Sequence, residues 1–124
     1  MDSEGAGSMN LQNINVDKVY LAAGYTDMRL GIDGLAALCE YVHNIDPMQN
    51  VLFLFCGRKS DRIKGLLWQG DGYLLLYKRL NSGRFRWPRN KNEVLELSEQ
   101  QLRWLLDGLS IAQKTSIKQV PKRG

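Results

Sequence analysis

The sequence predicts an α+β fold: a mostly antiparallel sheet of about five strands with two helices packed against it. Three observations carry this reading. Val51-Leu52-Phe53-Leu54-Phe55-Cys56 is a short, β-rich, wholly apolar run, the pattern of a central strand covered on both faces. The residues after it alternate and are broken by short turns, and strands joined by short turns are antiparallel neighbours. Two helical periodicities flank this strand-rich middle, one on each side.

Residues 1–10 are small and polar and end in Gly7-Ser8-Met9-Asn10. They lack the charged start and apolar middle of a signal peptide, and read as a leader without order, with the domain running over 11–109. Residues 14–22 alternate loosely through Val16, Val19 and Leu21 and form a first strand. Gly24-Tyr25-Thr26-Asp27 is a turn, with Thr26, Asp27 and Asp33 as candidate caps. From Gly34 the residues Leu35, Leu38, Cys39, Val42 and Ile45 recur at helical spacing. Asp46-Pro47 ends that helix, because the residue before proline avoids the helical region.

After the apolar run, Gly57 to Asp61 make a polar turn. Residues 62–68 alternate in part, with Arg62 and Lys64 outward and Ile63 inward. Gln69-Gly70-Asp71-Gly72 signals a tight hairpin in which Asp71-Gly72 takes the positive φ. Tyr73 to Leu80 is the returning strand. Asn81-Ser82-Gly83 turns into a further strand, Arg84–Trp87, stopped by Pro88, which has no amide hydrogen for a ladder. Glu93 to Leu97 is a short last strand. Ser98, with Gln101 three residues on, forms a capping box for a helix striped by Leu102, Leu105, Leu106 and Leu109, with Trp104 at its edge, and Gly108 stops it. The tail 110–124 is polar and basic without a period, and reads as disordered or ordered only by a partner.

The 124 residues suit one domain, and 44% are hydrophobic, enough for a core. No apolar run approaches the roughly 20 residues that cross a bilayer. With no secretion signal, Cys39 and Cys56 read as reduced, packed thiols of a cytoplasmic protein. The net charge of +4 is unevenly spread. Residues 1–56 hold two basic and seven acidic side chains; residues 57–91 hold ten basic and two acidic. A basic block of this kind suggests nucleic acid or an acidic protein as partner, and no membrane.

The chemistry of an enzyme is not assembled here. His43 is the single histidine and lies at a helical position, which suits a structural role. Neither the cysteines nor His43 have metal-ligand spacing, so no metal and no cofactor are expected. Asp27, Asp33 and Asp61 are the carboxylates that would have to converge for a metal-dependent enzyme; capping explains the first two more simply. What remains is arginine and aromatics. In the stretch Lys78 to Pro88, alternation turns Phe85 and Trp87 inward and leaves Arg84 and Arg86 facing water together. With Arg58, Lys59, Arg62, Lys64, Lys78 and Arg79 they make eight candidate nucleic-acid contacts, several of them on one sheet face, able to neutralise phosphates.

These motifs, in order, resemble one family. They are Thr26-Asp27-Met28-Arg29, Gly31-Ile32-Asp33-Gly34-Leu35, Val51–Phe55 with Gly57-Arg58, Asp61-Arg62-Ile63-Lys64, Leu67-Trp68, Tyr77-Lys78-Arg79-Leu80, Gly83-Arg84-Phe85-Arg86-Trp87-Pro88 and Gln101-Leu102 through Leu106-Asp107-Gly108. Over residues 14–109 the chain resembles the TnpB accessory protein of the bacterial insertion-sequence family numbered sixty-six. Gly65 departs from the family pattern, where a bulkier strand residue is expected, and suggests a bulge. The resemblance implies a small non-enzymatic protein, encoded beside a separate transposase and needed for efficient transposition. Its catalytic carboxylates are expected on that other protein. Resemblance and basic block together predict a protein that binds the DNA of the element ends. The alternative is an adaptor that docks on the transposase of the same element without touching DNA.

Overall fold

A computed structural model of the chain describes residues 9–11, 14–91, 93–112 and 118–122. In chain order the elements are β1 (Met9–Leu11), β2 (Ile14–Val16), β3 (Lys18–Ala22), α1 (Ile32–Ala37) with a π-helical continuation (Leu38–Val42), β4 (Val51–Cys56), β5 (Arg62–Trp68), β6 (Tyr73–Arg79), β7 (Val94–Leu97), α2 (Glu99–Leu106) and β8 (Lys118–Gln119). The main sheet has the order β6-β5-β4-β3-β7-β8. Only β3 and β4 run parallel; every other neighbouring pair is antiparallel. The α+β class and the mostly antiparallel sheet are as the sequence predicts. β3 to β7 form its body, and β8 adds a short sixth strand.

The apolar run becomes β4, third from one edge, and all six of its residues are buried. Because side chains alternate along a strand, β4 feeds two cores. Leu52, Leu54 and Cys56 meet Val19, Leu21, Ile63, Leu67, Phe85, Trp87, Leu95 and the α2 leucines on one face. Val51, Phe53 and Phe55 meet Tyr20, Ala22, Leu66 and the α1 residues Leu35 and Cys39 on the other. Phe53 and Phe55 stack with centroids 5.1 Å apart, and Tyr20 sets its ring edge against Phe53. Burying one such phenyl ring contributes about 1.5–3 kcal/mol. The two cysteines lie in opposite cores, free and buried. Burial pushes both thiols up to about 12, so neither offers a thiolate near neutral pH.

Several local expectations are corrected. The first strand divides at Asp17 into β2 and β3, and β2 pairs with β1 instead. Met9 and Asn10, read as part of the leader, belong to that hairpin; residues 1–8 lie outside the described residues. α1 begins after Gly31, with no side-chain cap, and Asp33 sits in its first turn. Asp27 instead accepts the Arg29 amide and caps a turn before the helix. Beyond Ala37 the helix widens: the His43 amide donates to the Leu38 carbonyl, five residues back. This brings Leu35, Cys39 and His43 onto one buried line and turns Val42 out to 52% exposure. Gly70, not Asp71-Gly72, takes the positive φ in the four-residue turn between β5 and β6.

Gly65 marks no bulge. Register is continuous across Leu54, Gly65 and Leu76. A Cβ there would lie 3.0 Å from Leu52 Cδ1 and 3.4 Å from Leu54 Cδ2, so the position is small because β4 crowds it. Arg84–Trp87 joins no ladder. The tail is partly ordered: β8 pairs with β7, and Ile111 and Val120 are buried. Residues 113–117 and 123–124 lie outside the described residues. The capping box at Ser98 and Gln101 forms as expected. Among the described residues, no helix is long and apolar enough to cross a membrane.

His43 is 5% exposed, its ring tilted over Phe53 and its Nδ1 without a hydrogen-bond partner. Burial, and secondarily the charge of Lys122, lowers its pKa. The folded state therefore favours neutral imidazole. Stability is whole above about pH 6.5, the unfolded value, and falls as the pH drops below it, because the unfolded chain takes up the proton first. Urea midpoints at pH 7.5 and 5.5 should show this loss, and His43→Gln should flatten it; an unchanged pH slope in that variant would assign the loss elsewhere.

Candidate nucleic-acid interface

The topology gathers the basic block at one end of the sheet. β3 and β4 finish there, β5 begins there with Arg62, β6 finishes with Arg79, and β7 begins at Val94 opposite Ala22. The connection from β6 to β7 must therefore travel past the ends of β5, β4 and β3. It does so as a strap pinned along its length. The Phe85 amide donates to the Ser60 carbonyl at 2.7 Å, Trp87 Nε1 to the Ala22 carbonyl at 2.9 Å, and the Gly24 amide to the Pro88 carbonyl at 2.8 Å. These bonds run to loops and strand ends, not along a neighbouring strand, which is why the predicted strand at Arg84–Trp87 does not form. The alternation survives all the same. Phe85 and Trp87 are 3% and 4% exposed, and Arg84 and Arg86 point to solvent.

Three of the cations share one sheet face, and the block as a whole gathers at one end of the sheet. Arg62, Lys64 and Arg79 point to the α1 face, and Lys78 to the α2 face. Arg58 and Lys59 sit on the turn after β4, and Arg84 and Arg86 on the strap; all four are exposed. Arg62 stands directly across from Arg79, a like-charge pair that an anion would relieve. Lys64 is engaged within the fold: its Nζ donates to the Met28 and Leu30 carbonyls at 2.7 and 2.8 Å. It ties the loop after β3 to the sheet and is not free for a phosphate. Among the described residues, Arg58, Lys59, Lys78, Arg79, Arg84 and Arg86 pair with no carboxylate. The opposite end of the sheet carries Asp17, Asp46 and Asp71 beside Lys18, with Glu99 ion-paired to Arg103.

Two loops at the basic end enclose a groove of about 520 Å³. One follows β3 and supplies Tyr25, Asp27 and Arg29; the other follows β4 and supplies Arg58, Lys59 and Asp61, and Arg62 joins them from the start of β5. Parallel pairing puts these loops side by side, and the crevice beyond the carboxyl ends of adjacent parallel strands is a common ligand position. The Thr26 amide donates to the Cys56 carbonyl at 2.8 Å, locking one loop to the other. Ser60, in the second loop, holds a left-handed backbone with φ of 59°. Asp27 receives Nε and Nη2 of Arg29 at 3.0 and 2.9 Å, and these hydrogen bonds lower its pKa to about 2. Arg62 Nε lies 3.6 Å from Asp61 Oδ1 and makes no hydrogen bond. The guanidinium carbons of Arg58 and Arg89 lie 5.7 and 5.0 Å from the Tyr25 ring centre.

Asp27 and Asp61 share this groove, each beside an arginine, and Asp33 stands apart in α1. Three residues of the site, Tyr25, Arg29 and Arg89, are not among the eight candidate contacts. Arg89 was legible as part of the basic block. Tyr25 and Arg29 were not, because only the parallel pairing of β3 with β4 brings their loop to the cations.

The family model described as IS66 Orf2 like protein matches residues 17–116. The uncharacterized protein y4hO of Sinorhizobium fredii is 38% identical over 92 residues, covering 74% of this chain and 80% of that protein. The uncharacterized protein y4jC of the same organism is 33% identical over 92 residues, covering 74% and 79%. No solved structure matches the chain.

Proposed function

The chain belongs to the IS66 Orf2 like family, whose members serve as accessory proteins of insertion-sequence transposition, and from that premise we propose that it binds the DNA of the element ends through its basic sheet end. In this reading it is a non-enzymatic protein of the cytoplasm, and cutting and joining belong to the separate transposase. One observation carries the DNA contact: cations scattered through residues 57–91 converge on one end of the sheet, most of them without a carboxylate partner among the described residues. Arg84 and Arg86 lead the contact from the strap. Arg58, Lys59, Arg62, Lys78 and Arg79 extend it, and Lys64 supports it from below.

The test is binding of a labelled element-end duplex across a salt series. Affinity should fall steeply and linearly in the logarithm of salt, because each neutralised phosphate releases counterions. Absence of binding at about 50 mM salt, a permissive condition for phosphate contacts, would overturn the reading in favour of the transposase as direct partner. Tyr41, Val42 and Met48, exposed at 82%, 52% and 57% away from the basic end, support that second reading as a protein-docking surface.

A further inference from the structure

The groove between the loops after β3 and β4 differs in kind from the rest of the basic end. Arg84 and Arg86 stand on an open surface, suited to the outside of a duplex. The groove is concave, and its volume of about 520 Å³ is that of a small-ligand site, with room for a nucleotide or two and none for a duplex. Its walls combine two properties. Both carboxylates are already beside an arginine, Asp27 with Arg29 and Asp61 with Arg62, which leaves Arg58 and Lys59 without a carboxylate partner among the described residues. The Tyr25 ring carries the Arg58 and Arg89 guanidinium groups on it, and flat rings and guanidinium planes are the surfaces on which unpaired bases stack.

The groove is also built in advance. Thr26 is bonded to Cys56, Lys64 holds the Met28 and Leu30 carbonyls, and Ser60 is bonded to Phe85. A site fixed before binding loses less entropy when it binds. We propose that this groove takes single-stranded DNA, with a phosphate at Arg58 and Lys59 and an unpaired base against the Tyr25–arginine surface. The protein would then grip an element end where the strands part. This rests on the DNA-binding reading above and adds to it a preference for unpaired strand.

The experiment compares the full chain's affinity for a blunt duplex, the same duplex with a short thymidine overhang, and an oligothymidine of about ten nucleotides, a length within the span of single-strand sites. The overhang should bind about tenfold tighter than the blunt end, the gain expected from one stacked base. Tyr25→Ala should erase that difference and leave blunt-duplex affinity within about twofold. Tyr25→Leu, which keeps bulk at this partly exposed position and removes the stacking ring, provides the same check should Tyr25→Ala unfold. Arg84→Ala with Arg86→Ala should weaken both duplexes alike and preserve the ratio between them. Equal affinity for overhang and blunt end overturns this inference alone, as does a Tyr25→Ala or Tyr25→Leu effect equal on both. Failure to bind any of the three DNAs overturns it together with the DNA-binding reading.

Discussion

Trp87→Ala should unfold a large part of the population near physiological temperature. The side chain is 4% exposed and packs between the sheet and α2, and its Nε1 donates to the Ala22 carbonyl at 2.9 Å. Truncating a buried tryptophan costs about 3–5 kcal/mol, and a buried carbonyl left unpaired adds about 1 kcal/mol or more. A domain's whole stability is about 5–15 kcal/mol. For a domain of this size the melting temperature should fall by about 15 °C or more. Trp87→Phe keeps most of the volume and loses the hydrogen bond, and should cost about a third as much. Chemical denaturation of the three proteins decides it. A Trp87→Ala midpoint close to that of the wild type would mean that the strap is not held by this residue.

Arg84→Ala with Arg86→Ala should have the opposite profile. Both side chains are exposed, and neither has an ion-pair partner among the described residues, so the denaturation midpoint should not move. Duplex affinity should fall by about tenfold per arginine, the scale of a hydrogen bond to a charged group. The slope of log affinity against log salt should become shallower by about 2, one unit for each phosphate that the protein no longer neutralises. A double variant that unfolds would make the arginines structural. One that folds and binds with an unchanged slope would remove them from the DNA interface.

The two substitutions sit side by side in sequence and act on different properties, and that much was legible without coordinates. Alternation along Arg84-Phe85-Arg86-Trp87 separates anchors from exposed cations whether or not the segment joins a sheet. Its secondary structure was not legible, because a strand is defined by a partner, and this segment's partners are Ser60, Ala22 and Gly24 on three separate loops and strand ends. β4 was legible from composition, and α2 from its capping box. The line of Leu35, Cys39 and His43 was not, because an ordinary helical period places Val42 inward and only the π-helical turn exchanges it for His43. β8 has two residues, too few for any period to show.

The cations of the site were legible as a block, but their arrangement was not. Sequence periodicity assigns a residue to a face of its own strand. It does not say which strands run parallel or which of their ends meet. Lys64 shows the limit most directly. It alternates outward like Arg62, yet its ammonium is claimed by two backbone carbonyls of a loop more than thirty residues away.

The separation of charge along the strand axis has a kinetic consequence. One end of the sheet gathers arginines and lysines, and the other carries Asp17, Asp46 and Asp71 beside Lys18, with Glu99 ion-paired to Arg103. Such a body is an electric dipole as well as a weak cation. In the field of a polyanion it turns before it arrives, so encounters begin with the correct pole forward. Orientation before touching raises the association rate and makes that rate sensitive to ionic strength. If the proposed DNA contact is right, reversing the acidic pole would slow arrival while leaving the lifetime of the bound state unchanged.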